Sequence, residues 1–332
     1  MKETLPYLIN LPPFMQRGVD LDNFNIFQKV FFVLKGKLLG LIINKTEGSM
    51  FCFLINIFYS KDGKIYFENK RYYKATKNNE KIYYPNKRIL RSVKSYDYNL
   101  NRLFESYCLD IVDFDAKNLV IDCGANVGEL SIALNKKNID HEYYAFEADQ
   151  ETFDCLNINC KNTAAGLLNV GLSNEKGTKK FYLDNYGGNS SLTFFGDEDF
   201  IEVSSERLDS YKFEKNIKLL KIDAEGHEPE VLIGSKEILN KIEYISIDFG
   251  AERGTKEEMT IVPVNELLYN SNFQLIAFSK FRFIGEVFFN GEYYIAKYMP
   301  WYYVPANILI TTPLFVVVLF LIGSIIISKK LL

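Results

Sequence analysis

Apolar and polar positions divide the chain into three regimes. The first holds two apolar runs. Phe24–Ile43 follows Asp20 and Asp22 and is interrupted by Lys29, Lys35 and Lys37. Charges at that density argue against a spanning helix, so the run predicts a helix packed on the main domain, or else a basic amphipathic helix lying on a membrane surface. Phe51–Tyr59 is followed by Lys61-Asp62-Gly63-Lys64 and then Ile65-Tyr66-Phe67. Asp-Gly between two apolar runs signals a hairpin. With Ile82-Tyr83-Tyr84 before Pro85, it makes residues 1–98 a helical and β-rich N-terminal extension.

From about residue 100 the pattern alternates. Leu100–Leu109 predicts a helix. Strands are expected near 119–123, 143–147, 167–172, 217–223 and 242–249, and helices near 127–137, 150–161, 228–240 and 263–271. Alternation of this kind implies parallel strands joined by crossover helices. The end differs: Phe273–Phe278 and Glu286–Lys297 both read as strands, the latter turning at Asn290-Gly291. A parallel sheet finished by an antiparallel hairpin is the α/β, Rossmann-like layout of class I methyltransferases, which assigns that domain to 99–298. In the third regime, Tyr298–Ser328 carries no charged residue and Lys329-Lys330 follows. Some 20 apolar residues span a bilayer, so 302–328 predicts a C-terminal transmembrane helix.

Composition narrows the partners. The 39 basic and 42 acidic residues nearly balance, which gives no reason to expect a nucleic-acid partner. None of the five cysteines forms a Cys-x-x-Cys pair, as expected of a reducing compartment, and no secretory signal peptide is visible. Two histidines are too few for a zinc cluster, and no metal site is expected.

Two short segments carry the candidate chemistry. Val120-Ile-Asp-Cys-Gly-Ala-Asn-Val-Gly128 reads as a buried strand that breaks into a glycine turn and then a helix. That layout lets backbone approach a ligand closely. Asp122 is placed to meet a cationic methionine portion, Gly124 and Gly128 permit the bend, and Asn126 bonds locally or reaches the ligand. A dinucleotide site wants Gly-x-Gly-x-x-Gly. Here Ala125-Asn126 replaces the second glycine, and Glu129 at the helix start would repel a pyrophosphate. The details therefore favour S-adenosylmethionine. Glu147, 23 residues beyond Gly124, stands where a ribose-binding carboxylate belongs. Asp149 is a weaker cofactor candidate and a natural N-cap of the next helix. Leu172 and Ser173, ending the third strand, are placed to pack an adenine. Polar Asn185–Ser191, with Gly187 and Gly188, predicts a hinged loop.

The second segment is Lys221-Ile-Asp-Ala-Glu-Gly-His-Glu228. Asp223, Glu225, His227 and Glu228 crowd the carboxyl end of a strand, the edge where open α/β sheets bind ligands. Crowded carboxylates and a histidine can yield a group able to accept a hydroxyl proton. Glu230 reads as favourable charge in a helix first turn, and Glu252-Arg253 as a substrate-side ion pair.

These segments, with Ala-Phe-Glu-Ala-Asp (145–149), Asn-Val-Gly-Leu-Ser-Asn (169–174), Gly-Asn-Ser-Ser-Leu (188–192) and Arg-Leu-Asp-Ser-Tyr (207–211), resemble the FkbM family of S-adenosylmethionine-dependent methyltransferases. The resemblance covers about 100–250. Ala148 departs from it, because a proline often follows the ribose carboxylate. It implies O-methylation of a hydroxyl on a saccharide, glycan or glycolipid, with Asp122, Gly124, Asn126 and Glu147 on the cofactor and Asp223, Glu225, His227 and Glu228 on the reaction side. The expectation is a membrane-tethered enzyme whose catalytic domain faces the cytoplasm. A non-catalytic methyltransferase-like scaffold or binding module is the alternative.

Overall fold

The computed structural model describes residues 24–78, 80–183, 190–196, 199–255, 258–279, 286–289 and 292–295. The chain opens with α1 (Ile26–Lys45), started by a reciprocal capping box between Asn25 and Gln28. Next comes α2 (Gly48–Phe58). The strand expected over Phe51–Tyr59 is therefore a helix. Phe51, Cys52 and Ile55 point inward while Met50, Phe53 and Ile57 point out, a helical rather than alternating division.

Three antiparallel strands follow: β1 (Lys64–Glu68), β2 (Arg71–Ala75) and β3 (Lys81–Tyr84). The hairpin turns at Asn69-Lys70, not at Asp62-Gly63. Both turn residues are left-handed (φ 50° and 61°), as a two-residue turn of the primed kind requires. Asp62 instead accepts the Tyr96 N–H (2.7 Å) and pairs with buried Lys74 (3.2 Å), which donates to the Ser92 carbonyl (2.7 Å). A 3-10 turn over Lys87–Ser92 leads into α3 (Tyr96–Ser106).

The α/β body runs through β4 (Asn118–Cys123), α4 (Glu129–Lys136), β5 (His141–Phe146), α5 (Gln150–Cys160), β6 (Ala164–Leu168), β7 (Gly171–Leu172), β8 (Gly177–Tyr182), β9 (Phe200–Glu206), β10 (Ile217–Ile222), α6 (Glu228–Ile233), β11 (Ile242–Ile247), β12 (Ala251–Arg253), β13 (Glu258–Met259) and α7 (Ile261–Asn270). The main sheet has the order β11-β10-β4-β5-β6, every pair parallel. All six residues of β4 are buried, as befits a strand covered on both faces. Strand order reverses between β4 and β10, so their carboxyl ends form the switch point where such sheets hold ligands.

Several boundaries differ from expectation. The third strand ends at Leu168, and Gly171–Leu172 leaves to pair with β9 in a second sheet of order β7-β9-β8. α6 stops at Ile233 and a 3-10 turn (Lys236–Lys241) completes the connection. The break falls at Gly234, where a Cβ would lie 1.9 Å from the Ser173 carbonyl oxygen. Residues 273–278 form no strand; Phe273 packs on the core instead. One compact unit runs to Ser279. The antiparallel hairpin of β14 (Glu286–Phe289) and β15 (Glu292–Ile295) belongs to a second unit that begins at Lys280, and it is a two-stranded sheet by itself. The transmembrane helix expected over 302–328 lies outside the described residues. Among the described residues no helix is long and apolar enough to cross a membrane.

The front region is stitched to the α/β body. Tyr84 donates to Glu129 in the first turn of α4 (2.8 Å). Asn159 of α5 exchanges hydrogen bonds with the backbone of Tyr83 (2.9 and 3.0 Å) and donates to the Val127 carbonyl (2.8 Å). Arg71 pairs with Asp154 (2.6 Å). Ile65, Ile82 and Ile89 share one apolar cluster with Val127, Ala133 and Cys155.

Candidate active site

The bend after β4 is built from three special backbone positions. Gly124, Asn126 and Gly128 all have positive φ (70°, 52° and 86°). Asparagine tolerates that region better than most residues. Here its side chain also accepts the Val127 N–H (2.9 Å). Gly128 precedes α4 with its Cα hydrogens against α5: a Cβ would come within 2.3 Å of Cys160 Sγ. Gly124 is constrained more severely, because a Cβ there would lie 2.0 Å from the carbonyl oxygen of Asp223. The glycine bend and the start of the acidic segment thus touch through backbone, and the Asp223 N–H donates to the Cys123 carbonyl beside them (3.1 Å).

Glu147, at the end of β5, faces the same bend. Its carboxylate accepts the N–H groups of Asn126 (2.8 Å) and Asp149 (3.0 Å). Burial raises its pKa to about 7 in spite of those two donors. The oxygens keep lone pairs for further donors such as vicinal hydroxyls. Asp149 caps α5, accepting from the Thr152 N–H (2.9 Å) and hydroxyl (2.6 Å). Leu172 is sealed in the core beside Phe146 and Leu208.

Asp122 is 1% exposed. The Tyr143 hydroxyl donates to it (2.5 Å) and the Lys221 ammonium lies 2.9 Å away. Burial raises the Asp122 pKa, against the pull of Lys221 and Tyr143. Its side chain is engaged inside the sheet by Tyr143 and Lys221, at the start of the bend. Lys221 also donates to the Gly124 carbonyl (2.8 Å), stands 3.9 Å from Asp223 and lies over the Tyr107 ring (5.3 Å). Burial pulls its pKa down, but Asp122 and Asp223 outweigh that and leave it raised. The cation therefore ties the bend to the acidic segment.

The segment Asp223–Glu228 divides in two. Glu225 and Gly226 are both left-handed (φ 49° and 95°), and the His227 N–H closes the turn on the Ala224 carbonyl (3.2 Å). Asp223 and Glu225 remain partly exposed. Asp223 accepts a short hydrogen bond from the Tyr107 hydroxyl at the end of α3. His227 and Glu228 turn inward instead. Glu228 is fully buried and accepts the Gly226 N–H (2.9 Å). His227 bonds Ser173 through Nε2 and Thr193 through Nδ1 (2.9 Å each), and burial lowers its pKa to about 4. A ring so engaged is neutral near pH 7 and fastens the turn to its neighbours. Ser191 adds to this by donating to the Ala224 carbonyl (3.1 Å). Residues 185–189 of the loop expected to hinge lie outside the described residues.

Arg253 of β12 is engaged at the turn after β10. It forks onto Glu230 (2.9 and 2.5 Å) and donates to the Gly226 carbonyl (3.1 Å).

Sequence reasoning missed the contribution of the front region. Arg88 and Arg91 of the 3-10 turn come from it, and Tyr107 follows α3 just inside the domain expected from residue 99. Arg91 lies within electrostatic reach of Glu129, Glu225 and Asp223; burial and Arg88 lower its pKa to about 10, against the pull of those carboxylates. Arg88 is in turn close enough to Glu147 to pull its pKa down. Two cations of this turn thus lie within electrostatic reach of the carboxylates beside the bend. Only the apolar Ile89-Leu90 between them hinted that the turn docks on the body.

Residues 122–275 match the family described as the methyltransferase FkbM domain. The chain carries an FkbM-family methyltransferase domain. It is also 28% identical to methyltransferase sdnD of Sordaria araneosa over 173 residues, covering 41% of this chain and 67% of that protein. The methyltransferase match begins at Asp122 and takes in the glycine bend, Glu147 and the turn at Asp223.

Proposed function

We propose that the chain is an S-adenosylmethionine-dependent O-methyltransferase acting on a saccharide or lipid-linked glycan. The observation that carries the reading is the contact of Gly124 with the Asp223 carbonyl, which puts the ligand-cradling bend and a partly exposed carboxylate at one switch point. The residues suit that cofactor. Gly124 and Gly128 draw the bend tight against β10 and α5, and Glu147 beside it offers acceptors for ribose hydroxyls. S-adenosylmethionine supplies an electrophilic methyl group and leaves as a neutral thioether. Asp223 takes the proton from the acceptor hydroxyl as the new O–CH3 bond forms, while Tyr107 and Lys221 hold its carboxylate toward the cleft. Glu225 and Arg91 line the acceptor side. The domain works on the cytoplasmic side of a membrane, tethered by the uncharged stretch from Tyr298 to Ser328.

Replacing Asp223 by Asn tests this. Transfer of a labelled methyl group to host glycolipid extract is expected to fall by roughly 100-fold or more, with cofactor affinity nearly unchanged. Turnover near that of the unaltered enzyme would move the proton acceptor elsewhere.

A further inference from the structure

α1 is apolar on both sides. Leu39, Ile42 and Ile43 are buried against the body. On the opposite side Phe27 (83% exposed), Val30, Phe31 (68%), Leu34 (61%), Leu38 and Leu41 (61%) repeat at intervals of three and four and form one open stripe. α2 continues the theme with Met50, Phe53 and Ile57, each more than 60% exposed. An apolar surface on this scale marks an interaction site. Its charge is one-sided. Between residues 24 and 59 stand four lysines (Lys29, Lys35, Lys37 and Lys45) and a single acid, Glu47, which is already paired with Lys87 (2.7 Å). The body as a whole gives no such bias, since the chain has a net charge of -3.

We infer that the α1–α2 face docks in the plane of an anionic lipid surface, its stripe sunk into the headgroup boundary and its lysines among the phosphates. The helix cannot cross the bilayer, because its far side belongs to the protein core and lysines recur along its length. Partial immersion leaves those charges at the interface, where long lysine side chains reach polar groups. The stripe shares no residue with the methyl-transfer site and adds a second membrane contact to any made by the C-terminal stretch.

The test reads the stripe itself, so a separate anchor does not confuse it. The full chain with Leu34→Trp in a Trp301→Phe background places the sole indole at the centre of the stripe. It is mixed with vesicles of phosphatidylcholine and phosphatidylglycerol, with and without lipids brominated high on the acyl chain. The expected result is a blue-shifted emission that loses roughly half its intensity or more to the brominated lipid, as shallow burial at the interface requires. Two results overturn the inference. One is an indole that stays water-like and unquenched, whether or not the protein floats with the vesicles. The other is a blue shift that appears without vesicles and grows with protein concentration, which would assign the face to a second copy of the chain.

Discussion

Replacing Gly124 by alanine puts a methyl group 2.0 Å from the Asp223 carbonyl oxygen and forces a side chain into φ +70°. The two penalties are separable. Left-handed backbone costs alanine about 1–2 kcal/mol. The overlap falls well short of van der Waals contact, so β4 and β10 must part at their carboxyl ends, an overpacking cost of about 1–3 kcal/mol. The Asp223 N–H to Cys123 bond then weakens, worth about 1 kcal/mol. The total is about 3–6 kcal/mol, or roughly 10–20 °C in melting temperature for a body of this size. Two other glycines supply controls. Gly254 has φ +71° and a Cβ there would meet nothing within 4 Å, so Gly254→Ala should show the backbone cost alone, about 1–2 kcal/mol. Gly177 is free of both constraints, and Gly177→Ala should be neutral or slightly stabilising. Urea denaturation and calorimetric titration with S-adenosylmethionine read the series. The order Gly124, Gly254, Gly177 is expected for lost stability, and only Gly124→Ala should abolish cofactor binding. Equal losses at Gly124 and Gly254, with cofactor affinity intact, would show that the β4–β10 contact does not shape the cleft.

Three further predictions concern charge. Glu147, whose pKa is raised to about 7 by burial, accepts ribose hydroxyls best when ionised, so cofactor affinity should fall as pH drops below about 7, by up to roughly tenfold per unit; titration calorimetry from acid to neutral pH should show this slope, and Glu147→Gln should flatten it. Lys221→Met leaves Asp122 buried without its cation and should cost about 3–5 kcal/mol in urea unfolding, whereas adding Asp122→Asn should restore much of the loss; a double variant no better than the single one would refute the pairing. Tyr107→Phe removes the hydrogen bond to Asp223 and should lower kcat about tenfold, a change of about 1.4 kcal/mol, with cofactor affinity unchanged in a binding assay.

The parts readable from sequence were those encoded by neighbours in the chain. The bend at Gly124–Gly128, the strand before it and the capping Asp149 each depend on a few consecutive residues, and each stands where the pattern put it. What depends on distant partners is not legible in the sequence. His227 bonds Ser173 and Thr193, 54 and 34 residues away. Asp122 is met inside the sheet by Tyr143 and Lys221. Phe51–Tyr59 is rich in aromatic and β-branched residues and reads as a strand by propensity. Its helical form follows from which side chains find the core, Phe51, Cys52 and Ile55. Asp62-Gly63 carried a strong turn signal, yet the hairpin closed at Asn69-Lys70, where chain pairing placed the strand ends.

The hydrogen bonds from Tyr84 to Glu129 and between Tyr83 and Asn159 have a practical bearing on how this enzyme can be dissected. A fragment trimmed to 122–275 would lose most of the central strand, leave a carboxylate at the head of α4 without its phenolic donor, and open a greasy wound over Val127 and Ala133. The front region thus seals α4 and α5, and a fragment that begins at Asp122 is expected to unfold at a lower urea concentration than the full chain.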